Sequence, residues 1–395
     1  MYALIAALAV TAQQDSMDRW APLAHAVEEA IASRAFPGAV VAVGRRDTVL
    51  YLHAFGRTAY GQGRAVTNRT VYDVASLTKV VGLTTAVMML HEDGRLDLSA
   101  PVRGYVQLFG YAHDSTITIR HLLTHSSGLP AWRPYWQRAR SRDEVVDAAA
   151  AEPLEYPTGT RTVYSDVGAI NLTRAVEVLT GERLDRYLAR RLFEPLGMRD
   201  TRFNPPRSWR SRIAPTEVDT TYRHRLVHAE VHDENAFAMG GVSGHAGLFS
   251  TAEDLTRFAQ MMLGSGVFPS SRAGARALVP GRRAPGMSAA DSERGHDIQF
   301  VRAETIAEFT RRQQPELSHR ALGWETPNGE NSAGTRLSVR AFGHTGFTGV
   351  SLWIDPELDL FVILLTNRVH PTRENTQIVQ VRRQVADLAV AAAVR

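Results

Sequence analysis

The 395-residue chain contains no cysteine, which excludes both a disulfide framework and a thiolate metal site. It contains a single lysine, Lys79, among 45 basic residues. No segment approaches the roughly 20 consecutive apolar residues that a membrane-spanning helix needs. Neither sign of charge is in large excess. The net charge is +4, and the arginines are spread along the chain, so there is no nucleic-acid footprint. With 22% charged and 44% hydrophobic residues, the composition is that of an ordinary globular protein. It fits neither a collagen-like nor a disordered chain. The length suits two closely packed domains, and no internal repeat is visible.

The shortage of lysine points to chemistry. Arginine replaces lysine as a surface charge but cannot give up its proton. A lysine kept at one place marks a site where a deprotonatable amine is needed, unless chance left it there.

Residues 1–12 are small and apolar and end on Val10-Thr11-Ala12, resembling a cleavage site. No basic residue precedes them. They are expected to be a signal peptide, giving an exported protein; the alternative is a buried first helix. Residues 18–34 read as an amphipathic helix, and Ala39–Gly44 with Thr48–Phe55 as a hairpin. Ser76–Gly94 reads as one buried helix, followed by helices at Asp143–Ala151, Val167–Leu179 and Thr251–Leu263. Residues 264–299 read as a long loop or insertion. Strands return at Leu337–Phe342, Val350–Ile354 and Leu360–Thr366, before a helix at about 375–394. The expected fold is of the α/β (α+β) class. An antiparallel sheet from both chain ends (18–75 and 300–395) would be flanked by helices, with a mostly helical domain inserted at 76–299.

Ser76 and Lys79 are three residues apart and share one face of a helix. A serine hydroxyl needs a base before it attacks, and a lysine buried along an apolar helix is expected to have a lowered pKa. The opposing reading is a capping serine and a solvated lysine. Tyr164 precedes a helix and could relay protons, or could simply pack. His344-Thr345-Gly346 lies between two strands, where the glycine would let substrate approach closely and the histidine would bind or polarise it. Its plainer reading is a hairpin turn with a satisfied histidine. His224, His228 and His232 are spaced by four beside Asp233, which invites a zinc site if the segment is helical. The segment has little helical amphipathicity and no His-Glu-x-x-His sequence, so no metal or other cofactor is expected.

Ser76-Leu77-Thr78-Lys79, Tyr164-Ser165-Asp166 and His344-Thr345-Gly346, in this order, resemble the serine β-lactamase and penicillin-binding protein superfamily, class C-like branch. Arg120 to Leu129 and Gly247 to Thr251 agree with it. The resemblance implies that Ser76 is acylated and that Lys79 and Tyr164 share the acid–base work. It also implies that the N–H groups of Ser76 and Phe347 form an oxyanion hole. Asp166 stands where the family has an asparagine, and His344 where it has a lysine. The first change removes a donor to a substrate carbonyl. The second makes a fixed charge conditional on pH. Both count against efficient β-lactam hydrolysis. Val231 to Ala236 and Gly240 to Gly247, with Leu365 to Pro371, narrow the resemblance to a bacterial subgroup linked to muropeptide recycling, which includes N-acetylmuramyl-L-alanine amidases. That implies substrate contacts from His232 and Asp233; a polar turn bracing the loop is the other reading. The expected protein is a metal-independent serine hydrolase of muropeptide amide bonds, with no nucleic-acid partner and a monomer by default. A D-Ala-D-Ala carboxypeptidase, a small-ester esterase, a weak β-lactamase and a non-catalytic penicillin-binding-like sensor are the alternatives.

Overall fold

The computed structural model describes residues 19–106, 109, 116–269 and 297–394. The expected signal peptide at 1–12 and most of the expected loop at 264–299 lie outside the described residues. Helix α1 (Ala21–Ala32) leads into the hairpin β1 (Gly38–Gly44) and β2 (Val49–Gly56). The middle of the chain supplies β3 (Tyr72–Asp73), helices α2 (Thr85–Glu92), α3 (Arg142–Ala150) and α4 (Asp166–Thr180), and strand β4 (Arg202–Phe203). It also supplies α5 (Glu234–Ala238), β5 (Leu248–Ser250) and α6 (Ala252–Leu263). Strands β6 (Phe342–Thr345), β7 (Ser351–Asp355) and β8 (Leu360–Thr366) and helix α7 (Ile378–Ala393) follow.

The sheet order is β6-β7-β8-β1-β2, antiparallel throughout, so both ends of the chain build it, as the strand pattern predicts. Strands β1 and β8 are buried along their whole length because helices cover both faces. Successive side chains of a strand point to opposite faces. Val40 and Ala42 of β1, with Phe361, Ile363 and Leu365 of β8, enter the core shared with α2, α4 and α6. Ala39, Val41 and Val43, with Val362 and Leu364, enter a second core under α1 and α7. Each such buried Val, Leu, Ile or Phe side chain contributes roughly 1.5–3 kcal/mol. Helix α6 is capped by Thr251, whose hydroxyl accepts the Asp254 N–H, and packs on β8 and β1.

Two local expectations are corrected. The segment Ser76–Gly94 is not a uniform α-helix: residues Thr78–Thr84 wind as a π-helix before α2 begins. The strand expected at Leu337–Phe342 begins only at Phe342. Leu337 to Ala341 form turns instead, because the Asp355 carboxylate accepts the Ser338 N–H at 2.6 Å and its hydroxyl at 2.8 Å, and Val339 is left 80% exposed. The helix that would align His224, His228 and His232 does not form. Val218–Asp219 pairs with Arg225–Leu226, and the Asp219 carboxylate closes the turn by accepting the N–H groups of Thr221, Tyr222 and Arg223. His228 Nε2 faces the carbonyl oxygens of Arg210 and Ile213. Among the described residues no group of three His, Asp or Glu side chains is placed to hold a metal ion. Nor is any helix there long and apolar enough to cross a membrane.

Candidate active site

The site begins at the turn after β3. Asp73 is buried; its Oδ1 accepts the Ala75 N–H at 2.8 Å and its Oδ2 accepts the His232 N–H at 2.7 Å. Its main-chain oxygen accepts the Thr348 hydroxyl at 2.7 Å, which ties the turn to the segment after β6. Ala75 is held in the left-handed region at φ 45°, a conformation that strains a residue with a side chain. The turn sets Ser76 at the start of the helix. The π winding then carries Lys79 into the buried side, where it is 3% exposed.

Lys79 Nζ meets three oxygens. It donates to Ser76 Oγ at 3.2 Å and to the His245 carbonyl at 2.9 Å, and pairs with Asp166 Oδ1 at 2.6 Å. This corrects the expected protonation state. Burial does oppose the charge on Lys79, but the Asp166 carboxylate, aided by Tyr164, outweighs it, and the amine's pKa is raised. Lys79 is therefore an ammonium at rest. Tyr164 lies beside it, with Nζ 4.8 Å from the ring centroid. Its hydroxyl is buried and makes no well-formed hydrogen bond among the described residues. Burial raises the phenol's pKa, with Lys79 opposing, so Tyr164 holds its proton. The ammonium, the phenol ring and the serine hydroxyl are thus gathered at one point.

Strand β6 forms the facing wall. His344 is buried, and burial pushes its pKa down to about 4, so it is neutral near pH 7. Its Nδ1–H donates to the Thr345 carbonyl at 2.7 Å, leaving Nε2 to accept from Arg320 at 3.4 Å. The sequence places a conditional charge on His344; the structure places the permanent one on Arg320, which Glu325 holds at 2.9 Å and which lies 5.0 Å from the Tyr164 ring centroid. Gly346 is also put to a different use from the expected one. A Cβ there would stand 2.5 Å from the Val74 carbonyl oxygen, so the close approach is to the turn before Ser76. The N–H groups of Ser76 and Phe347 find no acceptor among the described residues.

A cleft of about 290 Å³ opens here, lined by Ser76, Tyr164, His344, Phe347, Arg368 and Arg382 among others. Phe347 is 49% exposed. Arg368 Nε donates to the Phe347 carbonyl at 2.8 Å, and its guanidinium lies 4.4 Å from the ring centroid. Arg382 donates to the carbonyls of Gly346 at 2.6 Å and Val350 at 2.9 Å. Among the described residues neither arginine forms an ion pair with a carboxylate. His232 and Asp233 lie behind this cleft, not on its lining. His232 pairs with Glu217 at 2.9 Å and stacks on Phe347. Asp233 caps α5 and accepts from His245 Nε2 at 2.8 Å. The sequence singles out neither Arg320 nor Arg382, because arginine is the general cation of this chain, and Arg368 enters it only as part of the stretch Leu365 to Pro371.

The chain belongs to the Beta-lactamase family, whose model matches residues 23–387. It is 30% identical over 393 residues to a putative D-alanyl-D-alanine carboxypeptidase of Escherichia coli (strain K12), covering 90% of this chain and 82% of the relative. It is 31% identical over 372 residues to the N-acetylmuramyl-L-alanine amidase of Bacillus subtilis (strain 168), covering 85% and 78%. Its fold is shared with a penicillin-binding protein homologue from Caulobacter crescentus (TM-score 0.70, 18% identity, 95% and 98% of the two chains). The protein is a serine hydrolase of this family.

Proposed function

We propose that this hydrolase cleaves an amide bond in peptidoglycan-derived muropeptides through an acyl-enzyme on Ser76, without a metal. The observation that carries the reading is the 3.2 Å contact between Lys79 Nζ and Ser76 Oγ at the mouth of a cleft that also presents two unclaimed N–H groups. Ser76 is the nucleophile in this reading, and Lys79 and Tyr164 move its proton to the leaving amine. The N–H groups of Ser76 and Phe347 hold the oxyanion, a contribution of about 2.7–4 kcal/mol per donor in comparable sites. Thr345 and Gly346 form the strand edge along which substrate lies, and neutral His344 presents Nε2 beside Arg320. Asp166, as a carboxylate, meets Lys79 rather than a substrate carbonyl. His232 and Asp233 serve by bracing Phe347 and the His245 carbonyl.

The substrate class rests on two supports. Relatives are named for an amidase and a carboxypeptidase of the cell wall. In addition, Arg320, Arg368 and Arg382 in the cleft suit a substrate bearing carboxylates. Export to the compartment where peptidoglycan lies accords with this substrate. A D-Ala-D-Ala carboxypeptidase is the second reading, favoured by the name of the Escherichia coli relative. Digestion of a defined muropeptide by wild type and Ser76→Ala, with and without a chelator, separates the two by product mass. Release of the intact peptide from the muramyl sugar, by wild type only and in chelator as well, is expected. Release of terminal alanine alone would replace the amidase reading with the carboxypeptidase one.

A further inference from the structure

We infer that Asp166 is the proton acceptor behind Lys79: as Lys79 takes the Ser76 proton, it passes one of its own to Asp166 Oδ1. The inference rests on the Ser76 acyl-enzyme reading and deepens it. The geometry poses the problem directly. Lys79 Nζ lies against Ser76 Oγ, the His245 carbonyl and Asp166 Oδ1, and as an ammonium it has no lone pair with which to act as a base. The charged groups around it explain why. Asp166 lies 2.6 Å away on α4, and Asp233 stands behind it through His245. Tyr164, His125 and His344 surround it on the other sides, with the Arg320–Glu325 pair beyond. Of these, only Asp166 offers a carboxylate oxygen in contact with Nζ. Apart from this ion pair, that oxygen is buried without a hydrogen-bond partner among the described residues.

The step balances. Ser76 Oγ bonds to the substrate carbonyl carbon, its proton moves to Lys79, and a Lys79 proton moves to Asp166. Lys79 stays an ammonium, Asp166 becomes neutral, and the negative charge passes to the oxyanion. When the C–N bond breaks, the leaving nitrogen takes the Tyr164 proton. Tyr164 is refilled from Lys79 and Lys79 from Asp166, which restores the resting protonation states around the acylated Ser76. Asp166 acts through Lys79 and is in that sense a positioning residue. An asparagine, which the wider family carries here, could not take the proton.

The test is the pH dependence of Ser76 acylation, read as the burst on p-nitrophenyl acetate, in wild type, Asp166→Asn and Asp166→Glu. If the pair works as a relay, wild type loses its base only when the pair takes up a second proton. The Asn variant must instead wait for Lys79 itself to deprotonate. Its acid limb should then move to higher pH, by roughly 2 units or more, while the Glu variant keeps the wild-type limb. If Asp166 only anchors the ammonium, its removal lets burial lower the Lys79 pKa, and the limb moves to lower pH. A downward shift, or no shift, overturns the inference. Should the Asn variant fail to fold, a Glu variant whose acid limb leaves the wild-type position overturns it alone. Absence of any Ser76-dependent burst in wild type would instead count against the acyl-enzyme reading.

Discussion

Gly346 lies against the turn that presents Ser76, so close that a Cβ on it would stand 2.5 Å from the Val74 carbonyl oxygen. Strand β6 and the nucleophile turn are thus locked at a separation that only glycine permits. Gly346→Ala should push Phe347 and Ser76 apart and misplace both oxyanion donors. A displacement near 1 Å costs about 100-fold in rate. Stopped-flow acylation should show a loss of that order in a protein that still melts cooperatively; an unchanged rate would mean the two N–H groups do not act together.

Lys79→Arg separates charge from proton transfer. Arginine can pair with Asp166 but cannot release a proton. Acylation should fall by about 10²–10⁴-fold. If the ammonium served only to hold Asp166, the arginine variant would retain most of the activity in the same ester assay.

His344 gives a stability signature. Its folded pKa is depressed by burial to about 4 from the ordinary imidazole value of 6.5. Between those values the unfolded chain binds the proton and the folded chain does not, so stability falls as pH drops through this window and levels off below it. The contribution is on the order of 3 kcal/mol. Thermal melts from pH 7 to 4 should show a steeper decline for wild type than for His344→Gln; parallel curves would place the imidazole in a wetter setting.

Arg320 supplies the permanent positive charge beside Tyr164 and His344. Arg320→Gln should raise KM for carboxylate-bearing peptides by about tenfold or more while leaving a small neutral ester nearly unaffected. Equal losses on both substrates would assign the arginine to packing of the Tyr164 ring.

Much of this site is legible in the sequence where the determinants are local. Strands β1 and β8 read as apolar runs bounded by glycine or turn residues, and Ser76 with Lys79 reads from spacing and from the scarcity of lysine. Strand β6 does not, since Phe-Gly-His-Thr carries little strand pattern, whereas Leu337 and Val339 alternate with polar residues and imitate one. The charge state of Lys79 is illegible because burial and Asp166 act in opposite directions, and only their distance settles which prevails. Arg382 is hidden for another reason: its neighbours are the carbonyls of Gly346 and Val350, which are remote in the chain and carry no side-chain signal.

The most direct test is intact-protein mass spectrometry after treatment with a fluorophosphonate, followed by mapping of the modified peptide. One adduct per chain on Ser76, absent from Ser76→Ala and strongly slowed in Lys79→Arg, is expected. An unmodified Ser76 in folded, active wild type, or an adduct on another residue, would contradict nucleophilic catalysis by Ser76.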